Sequence, residues 1–344
     1  QQFYNLVDTM IVGRFLGVDD LAAVGSTGSI NFLVIGFCMG VCNGFAIPVS
    51  HKFGAGDYVG MRKYVANCAW LGLAFSVIMT VVTAILCRDI LVWMKTPANI
   101  IDGAHNYIFI IFIGIPTVFL YNIVAGVIRA TGDSKTPVVF LVLSSIINIV
   151  LDLYFIISLH MGVAGAAFAT VLSQFASAVF VLRFLRGNRV LLRLEFECPQ
   201  VKTVCKIALM GLSPFLIIAF DNVLIISLNT VIQMYGGAEA DMLLTCTTIV
   251  QSFMLIVTMP LGGITSGTGA ILGFNFGAGR PDRIRSAQKY ITLLAVVQCS
   301  IMFLFSRTLA QYFVYLFTRN ESYVELTVWA IRVYTMGIIP LAVQ

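Results

Sequence analysis

Residues 136–159 read TPVVFLVLSSIINIVLDLYFIISL, twenty-four residues that hold one carboxylate, one amide and no basic group. As a helix rising about 1.5 Å per residue, this run is long enough to cross a hydrocarbon core of about 30 Å. The pattern is continuously apolar rather than alternating, which selects a membrane-spanning helix over the strand of a barrel. An aspartate inside such a helix costs about 3 kcal/mol or more unless it is protonated, paired or bound to a cation, so Asp152 demands a reason.

Nine further runs of the same kind lie at about 1–16, 22–50, 64–87, 105–127, 163–185, 203–233, 243–272, 286–306 and 324–344. With 59% hydrophobic and 11% charged residues and a mean hydropathy of +0.95, the chain has the composition of an all-α polytopic membrane protein. Orientation follows from Lys and Arg, which are retained on the cytoplasmic side of short loops. Fifteen of the twenty-one basic residues fall in or beside the loops after the second, fourth, sixth and eighth runs, among them Lys52, Arg62, Lys63, Arg129, Arg183, Lys202 and Arg285. The opposite loops hold Arg14, Arg88, Lys95, Arg307 and Arg319. The net charge of +5 is therefore a topology signal, and with no soluble basic face a nucleic-acid partner is excluded.

Other chemistries lack their residues. The eight cysteines show no CxxC, and Cys38 and Cys42 read as small packing residues one helical turn apart. No GxxxxGK[ST] is present to cradle ATP, and no HExxH, GxSxG or Cys/His arrangement supports an enzyme. No cofactor is expected.

The chain repeats itself. Phe53-Gly54-Ala55-Gly56 recurs as Phe276-Gly277-Ala278-Gly279, an offset of 223, and each copy precedes a basic helix start. Thr96 pairs with Thr318, and Gly114-Ile115-Pro116 with Gly337 to Pro340. With an even number of spans between copies, the halves share one orientation and are expected to be related by a pseudo-two-fold axis along the membrane normal. The expected organisation is a first six-helix lobe at 1–186, a cytoplasmic linker at 187–201 and a second lobe at 202–344. The second lobe holds four runs, so ten of twelve helices are expected, with the last two and part of the first missing.

Two six-helix lobes, a linker and repeated FGAG turns, together with Tyr4-Asn5-Leu6-Val7-Asp8-Thr9, Val12-Gly13-Arg14 and Leu21-Ala22-Ala23-Val24-Gly25, resemble the MATE family of multidrug and toxic compound extrusion transporters. That family lies within the wider multidrug/oligosaccharidyl-lipid/polysaccharide exporter superfamily. The resemblance implies a secondary antiporter that exports amphipathic, often cationic organic compounds in exchange for Na⁺ or H⁺, by alternating access of two lobes.

Three intramembrane carboxylates are candidates for that coupling: Asp8, Asp152 and Asp221. Asn148 stands four residues before Asp152, on the same helical face, and the sixth run offers Ala166, Thr170 and Gln174 at the same spacing. Two carboxylates, an amide and a hydroxyl converging from neighbouring helices suit Na⁺, or a proton shared between the acids. The set Asp8, Asn148, Asp152, Thr170 and Ala166 also matches the amino-lobe cation site that the resemblance implies, with Na⁺ at Asp8, Asn148, Asp152 and Thr170. Asp221, seven residues after Pro214, is a secondary carboxy-lobe candidate; the tenth run has Arg332 and Tyr334 but no acid beyond Glu325 at its entrance.

Asn31, Tyr107, Asn122, Gln174, Gln251 and Tyr334 are cavity-lining candidates, against the alternative that amides and hydroxyls in membrane helices serve interhelical hydrogen bonds. The expected partners are a small organic substrate and membrane lipid, with the protein a monomer in a bacterial cytoplasmic membrane. Two other functions stay open: a lipid-linked precursor flippase, which needs a strongly cationic cavity, and a non-transporting scaffold or sensor, which needs no intramembrane acids.

Overall fold

The computed structural model of the chain describes residues 2–94, 96–185 and 199–343. In hydrocarbon every backbone N–H and C=O must be satisfied within its own segment, and the apolar runs accordingly fold as helices. The order is α1 (Gln2–Phe15), α2 (Val18–Gly54), α3 (Tyr58–Trp93), α4 (Ile101–Ile113), α5 (Ile115–Ala130), α6 (Lys135–Leu153) and α7 (Gly162–Leu185). These are followed by α8 (Val201–Tyr235), α9 (Ala240–Gly277), α10 (Pro281–Thr308), α11 (Ala310–Val314), α12 (Glu321–Tyr334) and α13 (Ile338–Leu341). Among the described residues there is no strand.

Each expected run lies on helix. Among the described residues, seven helical segments are long and apolar enough to cross a membrane, eight when α4 and α5 count as one bent span. At 14 residues α1 is shorter than the roughly 20 a full span needs, and α8 carries a shorter apolar stretch at Val223–Ile232. At 37, 36 and 38 residues, α2, α3 and α9 exceed a span, so their polar ends project into the headgroup layer.

The 43° bend between α4 and α5 falls at Gly114-Ile115-Pro116. Pro116 has no N–H to continue the ladder. A side chain at Gly114 would collide with Val171 of α7, so glycine lets the bent pair press against α7 beside Thr170.

The chain forms two compact units, Gln1–Ile218 and Ala219–Gln344. Residues 186–198, most of the expected linker, lie outside the described residues, and the boundary between the units falls within α8. The first unit is centred on fully buried Met61, Leu91, Ile108, Phe112 and Phe119. Within it, α2 and α8 meet backbone to backbone, because a Cβ at Gly44 would strike the Cα of Gly211. The second unit is built round buried Phe253, whose ring lies 6.0 Å from Phe305 and 5.3 Å from Phe313.

The two FGAG turns close alike. After α2, Gly56 takes φ +71°, its N–H donates to Phe53 O at 3.1 Å, and the Asp57 N–H donates to Lys52 O at 3.1 Å. After α9, Gly279 takes φ +64°, its N–H donates to Phe276 O at 3.1 Å, and the Arg280 N–H donates to Asn275 O at 3.0 Å. This is the six-to-one closure that a left-handed glycine permits at a helix end, formed twice at the same offset.

Candidate cation site

The site is assembled from α1, α6 and α7, which pack on one another in the first unit. α6 is set in place at its start by Asp133, whose carboxylate accepts from the Thr136 hydroxyl at 2.6 Å and from the amides of Thr136 and Lys135 at 3.0 and 3.1 Å. Partial burial raises the pKa of Asp133, but those donors outweigh it and hold the carboxyl below its usual value. Further along, Ser144, Asn148 and Asp152 recur every fourth residue and form one buried stripe facing α7. The Ser144 hydroxyl donates to Ser173 O at 2.8 Å and the Ser173 hydroxyl to Thr170 O at 2.9 Å, which fixes the register of α6 on α7. Just past Asp152 the helix widens into one π-helical turn, Tyr154–Ser158, a device that re-aims the adjoining side chains.

Asp8, Asn148, Asp152 and Thr170 are brought together. Asp8 is 3% exposed, Thr170 7%, and Asn148 and Asp152 are wholly buried. The Asn148 Nδ2 donates to the Thr170 hydroxyl at 3.5 Å, and that hydroxyl donates to Asp8 Oδ2 at 2.9 Å. This relay uses one oxygen of Asp8 and leaves the remaining carboxyl and amide oxygens for another donor or a cation. Asp8 Oδ1, Asn148 Oδ1 and both oxygens of Asp152 are buried with no donor among the described residues. The carboxyls of Asp8 and Asp152 are near enough for each to act on the other's charge.

Two neighbouring buried carboxylates repel unless a proton or a cation lies between them. The oxygen-only donor set suits a hard monovalent cation or a proton, and among the described residues no cluster of three or more His, Cys, Asp or Glu could hold a transition metal. Ala166, wholly buried one turn before Thr170, brings no polar group and keeps α7 close to the acids.

The other candidates sit elsewhere. Asp221 is exposed on the part of α8 that belongs to the second unit. Asn122 donates to Val118 O of its own helix at 2.8 Å. Asn31 is half-buried on α2 with its Oδ1 shielded and without a donor among the described residues, while Tyr107 is buried on α4. Gln174 and Gln251 are half-buried and Tyr334 is exposed at the end of α12. Ser144 and Ser173 escaped the sequence reading, although Ser144 continues the four-residue stripe through Asn148 and Asp152.

Comparison with known proteins gives one consistent answer. A family profile described as MatE matches residues 1–154 and 218–344. The chain is 30% identical over 294 residues to "Probable multidrug resistance protein YoeA" of Bacillus subtilis (strain 168), covering 83% of this chain and 63% of that protein. It is 25% identical over 329 residues to Multidrug export protein MepA of Staphylococcus aureus (strain NCTC 8325 / PS 47), covering 93% and 71%. A crystal structure of MATE in the bent conformation superposes with a TM-score of 0.89 at 24% identity, covering 98% of this chain and 74% of that one, a likeness of fold. The chain thus spans less than two thirds of the length of YoeA.

Proposed function

Since the chain belongs to the MatE family, we propose that it acts in a multidrug efflux antiporter of a bacterial cytoplasmic membrane. It exports small amphipathic organic compounds, cations above all, against an inward flow of Na⁺ or H⁺. The observation that carries this reading is the buried pair Asp8 and Asp152 beside Asn148, a trio with four oxygens buried and without a donor among the described residues. A scaffold would gain nothing from two such acids, and a flippase for pyrophosphate-linked lipids would want cations there.

In this mechanism the coupling ion is a substrate. Asp8 and Asp152 hold it or a proton, Thr170 fixes the Asp8 carboxylate, and Asn148 fixes Thr170. An ion that binds one arrangement of α1, α6 and α7 better than another shifts the balance between outward- and inward-facing states, and by linkage changes substrate affinity in return. The two lobes and their alternating access belong to this proposal, with energy drawn from the ion gradient rather than ATP.

The test is resistance in cells. Asp8→Asn and Asp152→Asn, close in volume to the parent, are expected to abolish resistance to a toxic cationic dye while the protein still inserts at normal levels. Full resistance with either variant would sink the assignment.

A further inference from the structure

A second feature of the first unit lies away from the acids. Between α3, α5 and α7 is a slot of about 290 Å³ whose lining includes Ala66, Ala69 and Leu73 of α3, Phe119 and Ile123 of α5, and Leu182 of α7. Its walls are almost entirely apolar, and Leu73 is 53% exposed at its edge.

Its depth can be read from α3. Trp70 and Trp93 are both exposed and stand twenty-three residues apart. By helical rise they are separated by about 35 Å, a little more than the roughly 30 Å hydrocarbon core, which puts both near the interfaces where tryptophan is enriched. Trp70 therefore lies near the cytoplasmic interface, and the slot reaches past it along α3 from Val65 to Ser76.

The mouth is basic. Arg62, Ala66, Ala69 and Leu73 follow one another on a single helical stripe, and Lys63 lies three residues before Ala66, so both cations stand one turn outside the apolar wall. The Gln200 amide donates to the Asn67 side chain at 2.8 Å, which brings the start of α8, with exposed Lys202, to the same end of α3. Exposed Arg183 adjoins Leu182 on α7.

We propose that this slot is a binding site for an anionic phospholipid of the cytoplasmic leaflet, one acyl chain lying in the slot and the phosphate resting on the basic end of α3. Apolar walls at acyl depth and cations at headgroup depth match both parts of that molecule. A cationic export substrate matches the walls but is repelled at the mouth.

The test is native mass spectrometry of the detergent-purified protein, offered phosphatidylglycerol and phosphatidylcholine of identical chains in equal amounts. The protein is expected to retain phosphatidylglycerol in preference. Lys63→Gln with Arg183→Gln should cut that preference by roughly fivefold per charge, while leaving phosphatidylcholine retention unchanged. Ala69→Phe, which fills the slot, should lower retention of both lipids. Equal retention by the unaltered protein, or a preference that survives the double substitution, overturns the proposal. So does displacement of bound phosphatidylglycerol by an organic cation dye, which would assign the slot to substrate.

Discussion

The two copies of the FGAG turn share a backbone and differ in charge. Their FGAG turns make the same hydrogen bonds at the same offset, yet the first turn carries Asp57 and Lys52 where the second carries Arg280 and Asn275. Deeper in the helices the contrast grows. The first unit buries Asp8 and Asp152, whereas the described buried polar residues of the second are neutral: Asn275, Ser306, Thr327 and Thr335. There the Ser306 and Thr335 hydroxyls pair at 2.9 Å, one donating to the other, as polar groups in membrane helices usually do. Duplicated helix-forming patterns keep the fold, because hydrocarbon enforces it on any apolar sequence. Ion chemistry needs specific costly residues, and one copy holds them buried.

The largest expected effect tests that asymmetry directly. Asp152→Asn should reduce ion-coupled dye export to background, while Asp221→Asn should reduce it only in part; equal losses from both would erase the distinction. Next, Thr170→Val removes the donor to Asp8 Oδ2. Since a hydrogen bond to a charged group contributes about 1.5–3 kcal/mol, the half-saturating concentration of the coupling ion should rise at least about tenfold, with maximal flux retained.

Packing gives a third contrast. Gly44→Val should lower thermal stability in detergent by about 1–3 kcal/mol, because α2 and α8 touch there. Gly267→Ala in α9, with nothing within 4 Å of its added methyl, should raise stability by about 0.5–1 kcal/mol. A loss at Gly267 would mean that another helix packs on that face in the membrane.

The smallest effect concerns the turns. The Lys52 ammonium at 2.7 Å and the Gly60 amide at 2.8 Å hold the Asp57 carboxyl below its ordinary value of 3.8. Its contribution is therefore fully present above that value and disappears as pH falls through the lowered one. Asp57→Asn should lower the thermal midpoint slightly at pH 7, by an amount that shrinks as pH falls below 3.8, whereas Arg280→Gln should leave it unchanged throughout.

Much of this was legible because apolar runs and four-residue spacings are one-dimensional. Each run became a helix, and the spacing from Asn148 to Asp152 and from Ala166 to Thr170 put the right faces together. Asp8 was found by the cost of an acid in hydrocarbon, without any spacing to guide it. What escaped depends on contacts between segments. The polar ends of α2, α3 and α9 lie beyond the apolar runs that marked them, and nothing in Tyr154–Ser158 announces a π-helical turn. The bend at Gly114 was visible as Pro116, but not its seat against Val171. Which oxygens are left without a donor follows from the direction of two hydrogen bonds, which no spacing specifies.

The central claim is that Asp8 and Asp152 couple an ion gradient to export, and it is tested most directly in proteoliposomes. Efflux of a fluorescent organic cation would be followed while a Na⁺ gradient or a pH gradient is imposed separately. The account predicts flux driven by at least one of the two and absent in Asp152→Asn. No response to either gradient, or a response that Asp152→Asn leaves intact, would contradict it.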